Sequence, residues 1–330
     1  MKKLTIALLV LASALPMDGR RLRRPRFRPE PMAVALEIVE VSHDPEIARQ
    51  LVEQLRSGRV DRNGDRTLAV INNSSARSVL IPAAGSVRGG GNTFFRSDIT
   101  MVNYNATAQD VAVIWMPNGG SAVTFKTTFP GDRPPFTQQD FVGTLLQQSG
   151  LGSLLFVPIT SAGQVDTNGA IDVFSRIWTP QPNATGTVSQ PFSGVDPDHL
   201  SGDFESIILG LRQDASYRTN FGIVNLSNQT LSFTVTVFPE VVAPGTQLTE
   251  VHVTLPALSM TQQGLPAGSY STPINLLVQV DNNVPSSTLH WSAYASSTDN
   301  ITGDGWVSIA AKDYDDDDLD TASRRSREDH

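Results

Sequence analysis

Residues 95–117 read Phe-Arg-Ser-Asp-Ile-Thr-Met-Val-Asn-Tyr-Asn-Ala-Thr-Ala-Gln-Asp-Val-Ala-Val-Ile-Trp-Met-Pro, and residues 217–239 repeat the pattern without a gap. Arg96, Val102, Asn103, Val113 and Pro117 return as Arg218, Val224, Asn225, Val235 and Pro239. Phe95/Tyr217, Ser97/Thr219, Asp98/Asn220 and Met101/Ile223 match in size and polarity. Two further matches keep the same order: Thr137-Gln138-Gln139 with Thr261-Gln262-Gln263, and Asn183-Ala-Thr-Gly186 with Asn300-Ile-Thr-Gly303. An offset of about 120 residues across all three points to internal duplication, each copy being of ordinary domain size.

The second copy shows the strand period openly. Phe233, Val235 and Val237 alternate with Ser232, Thr234 and Thr236, the two-residue period of a strand with one buried and one wet face. Each unit then reads as a strand (94–103 in the first copy), an Asn-containing turn, and a returning strand (109–116). Asn103 and Asn225 fall where an amide can hydrogen-bond the turn backbone, and Pro117 and Pro239 stop the returning strands because proline cannot donate to a ladder. Further strands are expected at 68–71, 79–81, 122–128, 153–157 and 172–178, and at 250–255, 274–280 and 289–296. About seven short strands per copy, separated by Gly, Pro and Asn, predict an all-β protein of two tandem immunoglobulin-like β-sandwich domains, at 67–195 and 204–312, joined by a linker at 196–203.

Composition agrees. Of 330 residues 39% are hydrophobic and 18% charged, and there is no cysteine, which excludes disulfides, thiolate metal sites and a cysteine nucleophile. The net charge of −8 is unevenly spread: residues 15–30 carry six arginines, whereas 313–330 carry eight acids against three arginines. A nearly neutral middle argues against nucleic acid as a partner.

Residues 1–14 have a Lys2-Lys3 start, an apolar run and a small-residue site at Ala12-Ser13-Ala14, so they predict a secretory signal and an extracellular or cell-surface location. The run is too short to span a membrane, and no transmembrane span is expected elsewhere. Residues 15–31 are expected to be a basic disordered arm and 313–330 an acidic disordered tail. In the lead-in, 32–66, the stretch 32–41 suits one strand. Asp44-Pro45-Glu46 then opens a helix that presents Ile47, Leu51, Val52 and Leu55 on one face.

Asp61, Asn63 and Asp65 resemble the opening of a calcium loop, but Arg66 replaces the turn glycine and Asn72 the closing glutamate, so a polar turn is the better reading. The stretch 85–92, with glycines at 89–91, lacks a following Lys-Ser/Thr and is expected to form a loop, not a phosphate cradle. None of the five histidines has ligand spacing, and His252 and His290 are expected to point outward from strands. No nucleophile motif appears, and no cofactor or metal is implied. Arg96 and Arg218 are candidates either for ion pairs with Asp98, Asp214 or another nearby acid, or for contact with a carboxylated or sulfated glycan. Trp115, Trp178, Trp291 and Trp306, with Tyr294, suit either two cores or a carbohydrate platform.

The repeated strand–Asn–turn–strand unit, led in by Arg96-Ser-Asp and Arg218-Thr-Asn, resembles tandem modules of secreted bacterial proteins and, more loosely, bacterial immunoglobulin-like surface domains. The resemblance spans about residues 67–312. It implies a non-enzymatic binding, adhesive or structural role toward polysaccharide, another protein or a second copy. The alternative is action on extracellular polysaccharide or peptide.

Overall fold

Short β-branched and apolar runs between Gly, Pro and Asn turns make strands over most of the chain. The computed structural model describes residues 36–57, 78–90, 93–131, 134–181, 185–240, 248–266, 268 and 270–312, which fall in one compact unit. The signal-like start, the arginine arm, Asp61, Asn63, Asp65, the 68–71 stretch and the acidic tail lie outside the described residues.

In chain order the elements are β1 (Glu40–Ser42), α1 (Pro45–Ser57), β2 (Val79–Arg88), β3 (Phe94–Asn103), β4 (Gln109–Pro117), β5 (Val123–Phe129), β6 (Phe136–Gln138), β7 (Gly150–Ile159), β8 (Ile171–Pro180) and β9 (Thr187–Ser193). They continue with β10 (Glu205–Leu211), β11 (Tyr217–Asn225), β12 (Leu231–Pro239), β13 (Thr249–Leu255), β14 (Ser259–Gly264), β15 (Ile274–Val280), β16 (Trp291–Asp299), β17 (Gly305–Ile309) and β18 (Ala311–Lys312). The fold is mostly β, its named strands pair antiparallel, and it contains no barrel.

In the first half, a layer ordered β5-β4-β7-β2 faces a layer ordered β6-β3-β8-β9, with β1 added outside β5. In the second half, β13-β12-β15-β10 faces β14-β11-β16-β17, with β18 added outside β10. The two orders are the same, strand for strand. The pairing of the first strand slips at the same place too, between Ile81 and Ala84 in β2 and between Ile208 and Leu211 in β10. Beyond its slip β2 pairs with β3, joining the two layers of the first half into one bent sheet. Each half therefore has eight strands in its two layers, one more than the sequence suggests. The short edge strands β6 and β14 carry little periodicity of their own.

Three apolar clusters hold the layers. The first fills the first half with inward residues such as Val113, Trp115, Phe125, Phe156 and Ile99. The second fills the other half with Phe221, Phe233, Val235, Leu276 and Trp291. The third lies between the halves: Leu80, Ile114, Met116, Leu155 and Val157 meet Val224, Leu226, Leu258 and Met260, with α1 laid alongside. The β5-β4-β7-β2 layer is thus covered on both faces. That accounts for the unbroken apolar runs at 111–116 and 154–157, against the clean alternation of β12.

Several expectations change. Of the described part of the 32–41 stretch, residues 36–41, only Glu40 and Val41 are strand, opening β1. In α1, Asp44 caps Glu46 as expected (Oδ1 accepts at 2.9 Å), but Ala48 is buried in place of Ile47, which is 38% exposed. Ala48 shares the buried stripe with Leu51, Val52 and Leu55 at the i, i+3, i+4 and i+7 positions, whereas Ile47 lies on its margin. The stretch expected to be a loop from Gly85 is strand as far as Arg88. Gly85 is needed there because a Cβ would stand 2.8 Å from the Gly150 carbonyl oxygen. Phe192 belongs to β9 and packs edge-on to Tyr294 at 5.4 Å. The linker itself is packed: Leu200 is fully buried in the second core, and Val195 bridges Leu80.

Candidate functional site

The repeated asparagines build matching turns. Asn103 donates to the carbonyls of Thr107, Phe129 and Pro130 at 2.9, 3.3 and 3.3 Å, and its Oδ1 accepts from the Asn105 N–H. Asn225 donates to Gln229, Leu255 and Pro256 at 2.9, 3.0 and 2.9 Å, and accepts from Ser227. Each buried amide spends its donors on backbone oxygens of the turn and of the neighbouring strand's end. Pro117 and Pro239 close the returning strands opposite Gly152 and Ile274. These four residues shape the fold and contact no open surface chemistry.

Arg96 and Arg218 share no contact. Arg96 lies over the rings of Phe94, at 4.7 Å, and Trp178, at 5.7 Å, and Arg176 reaches the same indole at 5.7 Å. Its acidic neighbour is Asp140, at 3.8 Å, and not Asp98, whose carboxylate accepts from the Asp140 N–H. A 3.8 Å approach is too long for a hydrogen bond, so the Arg96 fork keeps its donors among the described residues. Arg218 donates to Asn300 at 2.8 Å, while Asp214 pairs with Arg212, which stacks on Tyr217 at 4.2 Å. Desolvation opposes the Asp214 charge, but N–H groups of Ser216 and Tyr217 and the Arg212 guanidinium outweigh it and hold the carboxyl below its ordinary value.

On β3 and β8, Arg96 stands opposite Trp178, Asp98 opposite Arg176, and Thr100 opposite Phe174, which is 40% exposed. Strand alternation puts these six on the outer face of β6-β3-β8-β9. The corresponding face of the second half is used differently: β11, β14, β16 and β17 turn it onto the first half, and Val224, Met260 and Tyr294 are buried there. Of the aromatic residues, Trp115, Trp291 and Tyr294 are core; Trp178 and Trp306 reach the surface.

The histidines divide. His252 is exposed on β13, as expected, with Nδ1 2.9 Å from the Thr234 hydroxyl, which donates to Asp281. His290 does not point outward: it is buried, with Nδ1 2.8 Å from Ser201 Oγ and 3.5 Å from Asp198 Oδ1. A nucleophile relay needs the acid and the serine on opposite ring nitrogens, and here both address the same one. Nearby, burial pushes the Arg56 guanidinium down to about 10, opposed by the Asp198 and Glu53 charges, and its fork reaches the Leu226 carbonyl. This cluster ties α1 and the linker to the second half. No group of three or more metal-binding side chains occurs among the described residues.

A cleft of about 460 Å³ opens where the halves meet. One wall is Pro45 and Arg49 of α1 with the 119–122 hairpin, and the other is the consecutive backbone of 252–261. Leu258, in that second wall, is buried at a φ of 49°, a left-handed conformation uncommon for leucine. The cleft leaves no mark in the sequence, because its walls come from segments far apart in the chain.

No family model matches the chain, and no curated protein matches it. Among solved structures, the crystal structure of Thermotoga maritima 1070 is similar over 33% of this chain and 93% of its own, at 12% identity and a TM-score of 0.26. A likeness that distant carries no argument about fold or role.

Proposed function

We propose that the chain is an exported, non-enzymatic binding protein. On this reading its two halves descend from one duplicated immunoglobulin-like sandwich, and it holds an acidic glycan on the outer face of β6-β3-β8-β9. The observation that carries the glycan reading is the unequal use of one face. The second half buries its version against the first, while the first half leaves its own open and furnishes it with Phe94, Arg96, Phe174, Arg176 and Trp178. An indole beside two guanidinium forks offers a stacking surface for a sugar ring and bidentate donors for a carboxylate or sulfate. Duplication is supported by the shared strand order, the shared slip in β2 and β10, and the matched amide networks. Export is supported by the signal-like residues 1–14.

A glycan array that includes uronic and sulfated oligosaccharides tests the reading. Acidic glycans are expected to be retained without turnover, and Trp178→Ala or Arg96→Gln should each weaken retention about tenfold, or ~1.4 kcal/mol, with an unchanged Tm. No retained glycan, or a released hydrolysis product, would count against it.

A further inference from the structure

β5 and β13 hold the same position, outermost in the β5-β4-β7-β2 and β13-β12-β15-β10 layers. Their treatment differs. Along the free edge of β5 runs β1, antiparallel, with Glu40 opposite Lys126, Val41 opposite Phe125 and Ser42 opposite Thr124. Among the described residues no strand pairs with the corresponding edge of β13.

That edge lacks the usual protections. β13 reads Thr-Glu-Val-His-Val-Thr-Leu, without lysine or proline, and pairs with β12 in unbroken register from Leu255 to Thr249. Natural sheets blunt such an edge with a bulge, a lysine, a proline or a covering segment, because a straight row of amide and carbonyl groups is a template for another strand. The edge also borders the cleft between the halves. His252, Val253, Thr254 and Leu255 all line it, and four consecutive strand residues can do so only through their backbone edge. The facing wall of α1 and the 119–122 hairpin confines the opening, which admits a single extended chain more readily than the flank of a second copy.

We infer that the β13 edge is a peptide-binding site, taking one extended segment as an added antiparallel strand in the position that β1 occupies on β5. The partners across β4 and β12 fix the correspondence. Ala112 faces Lys126 as Thr234 faces His252, Val113 faces Phe125 as Val235 faces Val251, and Ile114 faces Thr124 as Thr236 faces Glu250. A peptide in that register places an acidic residue opposite His252, an apolar one opposite Val251 and a neutral or basic one opposite Glu250. The residues preceding the acid enter the cleft over Leu258 and Met260. Main-chain hydrogen bonds supply affinity in this mode, and the cross-strand side chains supply choice. The inference stands apart from the glycan reading, since the two sites use different layers of different halves.

The probe is a capped, fluorescent peptide of residues 37–43, Glu-Ile-Val-Glu-Val-Ser-His, titrated with the full chain by anisotropy. Saturable binding is expected, lost when alternate peptide amides are N-methylated, a change that leaves the protein untouched. Replacing the acid with lysine (Glu40→Lys in the peptide) should weaken binding about two- to fivefold, since His252 already has Glu250 at 4.0 Å. His252→Glu in the protein should reverse that preference, which separates this edge from β5. Equal binding of the N-methylated peptide, no saturation up to about 1 mM, or a preference indifferent to His252→Glu would overturn the proposal. A peptide-free dimer that the peptide dissolves would assign the edge to a second copy and overturn it equally.

Discussion

Asn225 and Asn103 make the same set of bonds with unequal quality. Asn225 is fully buried and reaches its two distant carbonyls at 3.0 and 2.9 Å, whereas Asn103 is slightly exposed and reaches its pair at 3.3 Å. Asn225→Ala should therefore cost roughly 3 kcal/mol and Asn103→Ala about 2, read from denaturant midpoints. Asn225→Asp should be worse than the alanine, since it sets a carboxylate against three carbonyl oxygens. Gly222 answers to a different constraint: a Cβ there would fall 2.3 Å from the Tyr294 ring, which is fully buried and bonded through its hydroxyl to Gln262 at 2.6 Å. Gly222→Ala should destabilise by about 2 kcal/mol or more, and the same substitution made in a Tyr294→Ala background should cost measurably less, since the ring it strikes is gone.

Burial also holds the Tyr294 phenol above its ordinary value of 10.0. A phenol held above its unfolded value binds its proton more tightly when folded. Its contribution to stability is complete below about pH 10 and is lost as pH rises further. Alkaline denaturation monitored with tyrosinate absorbance should show Tyr294→Phe losing stability less steeply above that pH than the native chain.

Among the elements, α1 depends most on its surroundings, because a helix of 13 residues is marginal alone and is held by its apolar stripe. Leu51→Ala, in the cluster between the halves, should cost about 3 kcal/mol, while Asp44→Ala, which removes the cap, should cost about 1 kcal/mol; helical ellipticity and thermal melts measure both. The sequence made this helix plain, because proline, acid and the spacing of Leu51, Val52 and Leu55 are local signals. β3, β11 and β12 were equally plain. β6, β9, β14 and β17 were not, since edge strands with one neighbour and a shallow buried face carry few apolar residues. The part of β2 beyond residues 79–81 was hidden by Gly85, which reads as a loop residue until the approach of the Gly150 carbonyl is known.

In the whole molecule the halves share the cluster formed by α1, β2, β4, β7, β11 and β14, so they are expected to unfold together. Calorimetry should give one transition whose calorimetric and van't Hoff enthalpies agree, and Leu155→Ala should lower it as a unit; two separable transitions would show that the shared cluster contributes little. The sequence pointed to two like segments but not to their joining, because the apolar runs at 111–116 and 154–157 signify a doubly covered sheet only once the covering partner is known. The arginine and tryptophan stripe was half legible: Arg96 stood out as a repeated charge, but Trp178 and Arg176 reach it only through the pairing of β3 with β8.

The outward side of the last layer, with Ser232, Thr234, His252 and Thr254 bonded to one another and open to water, has an evolutionary consequence. The second half rests on an oily surface that the first supplies, and it offers no such ground in turn. Were the two halves copies of one segment, as proposed, a further copy would find nowhere greasy to settle, so lineages carrying this chain should stop at two units unless those hydroxyls first give way to aliphatic side chains.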